Sequence, residues 1–399
     1  MQLKALAVLT VLWAGTAMAQ ETERVDAHGF YYKETSTRVV TPHMQVIADI
    51  PQSGTTLSAS YLLDAITSAS IAQGVSNDKA LTEYRNEVSA SVTQAFGPGR
   101  MYRAAGTYLR SRESDYDSDT IGANFAVDLF EKNTTWTLGY AHSFDTAYDR
   151  RAMRMHPVEI FPGPNLDTDF LSINVSQLLS PTTVVLGGFE YAYLNGFQSN
   201  PYRAVTIGAA MPEREPSIRN RYTYYGRIAQ LFPQSMTTLQ LQYRYYTDDW
   251  QLDAHSIEGR IYQDIGRNID GRISYRYHTQ GHAYFAKLPG APGGQAYTAC
   301  AQDTTHPVGC DVVYTSDPKL FAFDSHYLEF QLRYTMAGVR NIPVLQWFEG
   351  GWVDLTFGIM YTGIGDYQKG QPTFGNCGPT DNTHSCAERV VGLGVTLPL

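Results

Sequence analysis

The sequence predicts an all-β fold, a transmembrane antiparallel β-barrel of about 16 strands with short periplasmic turns and long extracellular loops. Three features of the 399-residue chain predict it: apolar and polar residues alternate along most of its length, short and long connections alternate, and 28 residues are tyrosine. Barrel strands in a membrane carry apolar side chains outside, polar ones inside and aromatic ones at both interfaces.

The N-terminal segment is typical of a secretory signal peptide. Lys4 precedes the apolar run 5–13, and Ala17-Met18-Ala19 has the small residues of a cleavage site. The run is too short to span a bilayer as a helix. We therefore expect residues 1–19 to be removed and residues 20–399 to form a single barrel domain. A buried N-terminal helix is the alternative interpretation.

Period-2 alternation marks the strands. In 239–245 the odd positions are apolar or aromatic and the even positions are polar, and 272–278 and 328–334 have the same pattern. No helical segment separates these stretches. The predicted strands are 24–34, 37–50, 55–66, 83–96, 101–113, 118–130, 134–145, 168–179, 183–195, 219–231, 236–247, 250–263, 268–280, 324–337, 351–364 and 387–397.

The lengths of the connections provide an independent criterion. From the second strand onward, short turns such as 51–54, 97–99 and 180–182 follow every other strand, and most of the connections between them are long. This parity is the barrel rule, with short turns on the periplasmic side, and a β-sandwich has no reason to obey it. We expect both termini in the periplasm and an even strand number of sixteen, or fourteen or eighteen if one hairpin is misassigned.

Two pairs of cysteines occur late in the chain. Export to an oxidising compartment predicts disulfides between Cys300 and Cys310 and between Cys377 and Cys386. A metal site is the less favoured alternative, because neither pair has C-x-x-C spacing.

Motifs for catalysis and cofactors are weak. We expect no enzyme activity, since G-x-S-x-G and H-E-x-x-H are absent from the sequence and Ser325 and His326, as strand neighbours, point to opposite faces. A rim hydrolase is the alternative.

Asp115, Asp117 and Asp119 form a weak calcium candidate, less favoured than a solvated acidic turn because Thr120 replaces the glycine of an EF-hand loop. We expect no cofactor, and the net charge of −9 argues against a nucleic-acid partner.

The polar positions of the alternating strands define candidate lumen residues. Charge on the lipid face costs about 2–4 kcal/mol near the midplane, so these side chains should face water. They indicate either a pore selective for anionic or sugar-like solutes or an internal salt-bridge network that stiffens the wall or closes the lumen. The candidates are Glu83, Arg85, Glu87, Arg227, Arg244, Arg272, Arg276, Glu329 and Arg333.

Several phrases resemble an uncharacterised family of outer-membrane barrels, domain of unknown function 3570 (DUF3570). They include Tyr31-Tyr32-Lys33-Glu34, the run 64–70, Glu113-Ser114-Asp115-Tyr116 and the run 245–250. In the run 64–70, Thr67-Ser68 replaces the usual glycine-containing pair. The resemblance implies a barrel and an outer-membrane location, without an established activity. Some barrels of this kind serve in exporting surface polysaccharide.

Two functions therefore remain open. The first is a porin-like channel for small polar or anionic solutes. The second is a non-conducting barrel that acts as a structural or export partner in an envelope system, its lumen occupied by the loop 281–323 or by an accessory protein. The expected partners are outer-membrane lipids, the barrel-insertion machinery and, for the second function, a periplasmic or envelope protein; the oligomeric state is left open.

Overall fold

The computed structural model describes residues 23–33, 37–68, 81–148, 162–200, 204–207, 209–287, 296–298, 310–338, 348–363 and 385–398. The expected signal peptide lies outside the described residues. Sixteen strands form one closed antiparallel barrel, and a separate two-stranded hairpin lies in one long connection. The fold predicted from the alternation is confirmed.

The strands are β1 (Arg24–Lys33), β2 (Thr37–Ile50), β3 (Thr55–Ser68), β4 (Leu81–Phe96), β5 (Tyr102–Arg112), β6 (Tyr116–Leu129), β7 (Thr134–Tyr148), β8 (Pro162–Ser180), β9 (Thr183–Gly196), β10 (Ala204–Ile207), β11 (Ala209–Pro212), β12 (Ile218–Phe232), β13 (Thr237–Asp248), β14 (Asp253–Gly266), β15 (Ile269–Gln280), β16 (Phe323–Thr335), β17 (Trp352–Gly363) and β18 (Ser385–Pro398).

The barrel closes where its first and last strands meet. β1 pairs with β18 from Arg24 opposite Pro398 to Lys33 opposite Arg389, and with β2 on its other side. Every other barrel strand pairs with its neighbours in chain order, except that β9 pairs with β12 and leaves the β10–β11 hairpin outside the wall. Closure pairs the backbone of the first and last strands, so the barrel has no open sheet edge.

The two ends of the barrel differ. One end, here called the short-turn end, carries both ends of the barrel chain and turns such as 51–54 and 181–182. The opposite end, the long-loop end, carries connections such as 69–80, 149–161 and 281–322. The predicted alternation holds for most connections. The exceptions are the long connection 336–351 at the short-turn end and the short connections 34–36, 113–115 and 249–252 at the long-loop end.

The wall has an apolar outer face and a polar inner face. On β13 the outward Leu241 and Tyr243 are 50% and 47% exposed, whereas Gln242 between them is 9% exposed. A strand alternates sides at each residue, so this contrast separates the lipid side from the lumen side. Among the described residues, no helix is long and apolar enough to cross a membrane.

Candidate functional site

The inner wall carries a row of arginines on four adjacent strands. We call Arg227, Arg244, Arg260, Arg272 and Arg276, on β12 to β15, the arginine arc. Their outward neighbours, such as Ile228, Tyr243, Ile273 and Tyr275, are exposed. The arginine side chains therefore lie on the inner face.

Three members of the arc are paired with glutamates of the same wall. Arg244 contacts Glu190 at 2.7 Å, Arg260 contacts Glu258 at 2.7 Å, and Arg272 contacts Glu329 at 2.5 Å. The carboxylates are the more buried partners, with side chains 7%, 14% and 17% exposed. Charge-assisted contacts of this geometry fix the arginine side chains against the wall.

Arg227 and Arg276 differ from the other three. Within the described part of the chain, neither lies within salt-bridge distance of a carboxylate, and Arg276 lies instead with its Cζ 5.3 Å from the ring centre of Tyr327. Arg260 adds a like charge near Arg227. Arg276 lies opposite Glu258 in the register, but the Glu258 carboxylate is paired with Arg260. Five arginines against three glutamates leave the arc with two uncompensated positive charges.

The opposite side of the wall is lined by hydroxyl groups. Ser58 pairs with Ser91 at 2.9 Å, Ser60 with Ser89 at 2.7 Å, and further along the wall Thr120 pairs with Ser143 at 2.5 Å. We call these inner positions of β3 to β7 the hydroxyl arc. Their side chains are short, so they leave more of the lumen radius free than the arginines do.

The remaining predicted lumen residues lie near the two ends of the barrel. At the long-loop end, Arg85 contacts Asp64 at 2.6 Å and Glu87 at 4.0 Å, and Glu83 accepts a hydrogen bond of 2.8 Å from the backbone of Ser114. These groups form a local ion-pair cluster.

At the short-turn end, Arg333 contacts Asp270 at 2.9 Å, with both side chains partly exposed. Ser325 and His326 diverge, since Ser325 is buried in the wall and His326 bonds to Tyr275 on the outer face. This arrangement does not bring a serine and a histidine together for catalysis.

Sequence reasoning missed several charged members of the inner wall, among them Arg260, Glu190, Glu258 and the pair of Arg103 and Asp128, which contact each other at 2.5 Å. Glu190 follows Gly187-Gly188-Phe189, where two glycines interrupt the alternation that would have assigned its side. Arg260 and Glu258 flank Gly259 in the same way. The usable signal was the two-residue spacing of Glu258 and Arg260, which places both on one face of a strand.

A folded cap covers part of the long-loop end. Its core is a buried cluster in which Trp250 and Phe285 meet edge to face at 5.1 Å, joined by Leu252, Ala283, Leu320 and Phe321. The inward Tyr246 packs against this cluster, and inward Gln280 donates to the backbone oxygens of Lys319 and Phe321. Because the cap contacts inward-facing side chains, it extends over the lumen mouth above the arginine arc.

The cap also contains a buried acidic cluster. The Thr315 hydroxyl lies 2.8 Å from a Glu213 carboxyl oxygen and 3.2 Å from a Glu215 carboxyl oxygen, and the backbone of Ser316 donates to Glu213 at 2.6 Å. Burial, together with the charges of Glu213 and Asp317, raises the pKa of Glu215 to about 8. Glu215 is therefore protonated at neutral pH, and it couples the β11–β12 connection to the β15–β16 connection.

A cation–π contact anchors the cap to the wall. The Arg219 guanidinium lies 3.9 Å from the Trp250 ring and contacts Asp248 at 2.5 Å. Trp250 in turn donates to the backbone oxygen of Ile218 at 3.0 Å. These contacts therefore fix the N-terminal end of β12 beneath the cap.

The structure gives no support to the weak calcium candidate, and it shows one cysteine of the predicted disulfides in a bonded state. Asp119 contacts Arg110 at 3.0 Å, and among the described residues no group of three or more acidic, histidine or cysteine side chains could hold a metal ion. Cys310 is disulfide-bonded, and no described cysteine is free. Cys300 and Cys377 lie outside the described residues, so both predicted pairings stay predictions.

On the outer face, a belt of tyrosines lies toward the long-loop end. Several of their hydroxyls donate to a polar group on the next strand: Tyr61 to Asn86 at 2.8 Å, Tyr108 to Asp119 at 2.5 Å and Tyr191 to Asn220 at 2.7 Å. Apolar rings with hydrogen-bonded polar tips are the side chains that favour a membrane–water interface.

Comparisons with known proteins agree with this architecture. The family model described as "Protein of unknown function (DUF3570)" matches residues 77–342. No curated protein sequence matches the chain.

Among solved structures, a bacterial polysaccharide outer membrane secretin is 9% identical, with a TM-score of 0.49 over 96% of this chain and 99% of that one. A BenF-like porin from Pseudomonas fluorescens Pf-5 is 8% identical, with a TM-score of 0.45 over 95% and 98%. CdiB from Acinetobacter baumannii is 9% identical, with a TM-score of 0.47 over 94% and 60%. These likenesses concern the barrel fold alone.

Proposed function

We propose that this chain, which belongs to the DUF3570 family of proteins of unknown function, is an outer-membrane channel that favours small anionic solutes. The observation that carries the proposal is the arginine arc, in which Arg227 and Arg276 have no acidic partner among the described residues. A surplus of fixed positive charge on a pore wall raises the local concentration of anions.

The outer surface supports a membrane location. Large apolar side chains such as Leu138, Leu241, Leu332, Leu355 and Leu393 are each about half exposed on the outer face. A continuous apolar band of this kind is unfavourable in water and favourable against lipid tails. The tyrosine belt supports an interface at the long-loop end. Short turns characterise the periplasmic side of such barrels, so we place both termini there.

A second function is favoured by the cap. In this function the Trp250 cluster and the Glu213–Glu215 network close the lumen mouth at rest, and the barrel serves as a structural or export partner in the envelope. In that case the arc of ion pairs would stiffen the wall rather than conduct.

Planar-bilayer recording with the pure protein tests the channel and separates the two functions. We expect discrete conductance steps. In a KCl gradient, the sign of the reversal potential should show that chloride is more permeable than potassium. A silent wild-type barrel that also stays silent when the cap is loosened by W250A would contradict the channel. Co-purification of a silent barrel with one defined envelope protein would support the second function.

A further inference from the structure

We propose that Lys33, Arg38 and Arg389 bind the phosphorylated headgroup of a membrane lipid on the outer face of the barrel. We call these three residues the cationic row. The proposal uses the membrane location of the barrel and is independent of whether the lumen conducts.

The register of the sheet brings the three cations together. Lys33 on β1 lies directly opposite Arg38 on β2 and directly opposite Arg389 on β18. Neighbouring strands are about 4.8 Å apart, so the three side chains rise from adjacent positions on three strands. Like charges directly opposite each other destabilise a sheet unless an ion of the other sign compensates them.

All three side chains lie on the outer face. The next residues on the same side of the three strands, Tyr31, Val40 and Val391, are 37%, 43% and 39% exposed and face the apolar surroundings of the barrel. Lys33, Arg38 and Arg389 are exposed too. The row is therefore unavailable to a solute inside the lumen.

The described residues provide no acidic partner for the row. Its three side chains make no ion pair there, and the described outward positions from β17 through β18 and β1 to β4 contain no aspartate or glutamate.

The only other outward arginines of the described strands are arranged differently. Arg110 contacts Asp119 at 3.0 Å, and Arg112 lies opposite Asp117 in the register of β5 and β6. On the described strands, Lys33, Arg38 and Arg389 are thus the only outward cations that lie opposite one another rather than opposite an acid.

The position of the row along the barrel indicates its ligand. On each strand, the outward residue two positions nearer the short-turn end is apolar or aromatic: Tyr31, Val40 or Val391. The outer surface therefore changes from apolar to charged at the cationic row. A lipid presents this sequence of chemistry, with acyl chains beside the apolar residues and phosphate at the interface. Lysine and arginine donors on three strands can surround the oxygens of one phosphate group, and arginine binds phosphate in a two-pronged geometry.

Lipid binding by matched variants tests the proposal. The barrel is placed in phosphatidylcholine nanodiscs that contain lipid A with two phosphates, and the retained lipid A is measured by mass spectrometry after delipidating washes. R38Q/R389Q removes two charges of the row, and R110Q/R112Q removes two outward charges that face acids. We expect at least a tenfold loss of retained lipid A in the first variant and less than a twofold change in the second.

A third variant guards against misfolding. K33E places a carboxylate between two arginines and should stabilise the sheet, so it should keep the heat-modifiable migration of a folded barrel while losing lipid A. Retention of lipid A by folded K33E or R38Q/R389Q would overturn the proposal. Equal loss in R110Q/R112Q would overturn it too, because the effect would then be general electrostatic attraction. Conductance should not change in any of these variants, so the outcome is separate from that of the channel proposal.

Discussion

The Arg244 guanidinium on β13 donates a hydrogen bond of 2.7 Å to the Glu190 carboxylate on β9, across the whole width of β12. The side chain passes over the inner face of β12, where Tyr225 lies opposite Arg244 with its ring centre 6.0 Å from the guanidinium. Both side chains lie on the inner face, where side chains of neighbouring strands converge. The pair therefore connects β9 to β13 through side chains, in addition to the backbone pairing of each strand with its neighbours.

Replacing Glu190 should therefore leave the positive charge of Arg244 without a counter-charge. E190Q leaves Arg244 without its carboxylate and adds one positive charge to the arginine arc. We expect the reversal potential in a KCl gradient to move further toward anion selectivity, and R244Q to move it in the opposite direction. An unchanged potential in both variants would show that this pair does not face the conducting path.

Trp250 should control access to the lumen. W250A removes a side chain that is 2% exposed and supports both Phe285 and Arg219. Removing a buried aromatic side chain costs about 3–5 kcal/mol, so the cap should open while the barrel stays folded. We expect faster trypsin cleavage at the exposed Arg214 and a larger single-channel conductance. F357A, which truncates an exposed ring on the outer face, is the control and should change neither quantity.

The cap should also respond to pH through Glu215. Burial and the neighbouring Glu213 and Asp317 raise the pKa of Glu215 from 4.5 to about 8, against the opposing effects of Arg219 and the Thr315 hydroxyl. The unfolded cap releases this proton near its ordinary pKa and the folded cap retains it, so stability is highest at low pH and falls as the pH rises toward about 8.

Limited proteolysis as a function of pH measures this effect. Protection of the cap from trypsin, corrected for the pH dependence of the protease on a denatured substrate, should decrease as the pH rises from about 6 to about 8 and level off above that. E215Q, which cannot ionise, should flatten that decrease. A wild-type profile with the same slope as the E215Q profile would contradict a protonated Glu215.

The strands were predictable because a membrane barrel imposes the same alternation on every strand. The predicted 37–50 coincides with β2, and most other boundaries differ by three residues or fewer. β8 begins at Pro162 rather than at the predicted 168, because barrel strands continue beyond the membrane, where alternation is no longer required. The β10–β11 hairpin was missed for the same reason.

The inner wall was only partly predictable. Alternation assigns Arg244 and Arg276 to one face, but it does not say that Arg244 reaches Glu190 two strands away and that Arg276 reaches no acid. Those facts depend on the pairing of β9 with β12, which skips the intervening hairpin. The cap depends likewise on contacts between connections about one hundred residues apart, such as Thr315 with Glu213, which no local pattern encodes.

The reversal potential of the double variant R227Q/R276Q measures whether Arg227 and Arg276 make the pore selective for anions. Both changes remove charges that have no acidic partner among the described residues, so the ion-pair network of the wall should survive. R110Q/R112Q, which removes two charges from the outer face, is the matched control. We predict that the wild type and the control prefer chloride over potassium, and that R227Q/R276Q loses this preference while still conducting. A double variant with the wild-type reversal potential would contradict an anion path along the arginine arc.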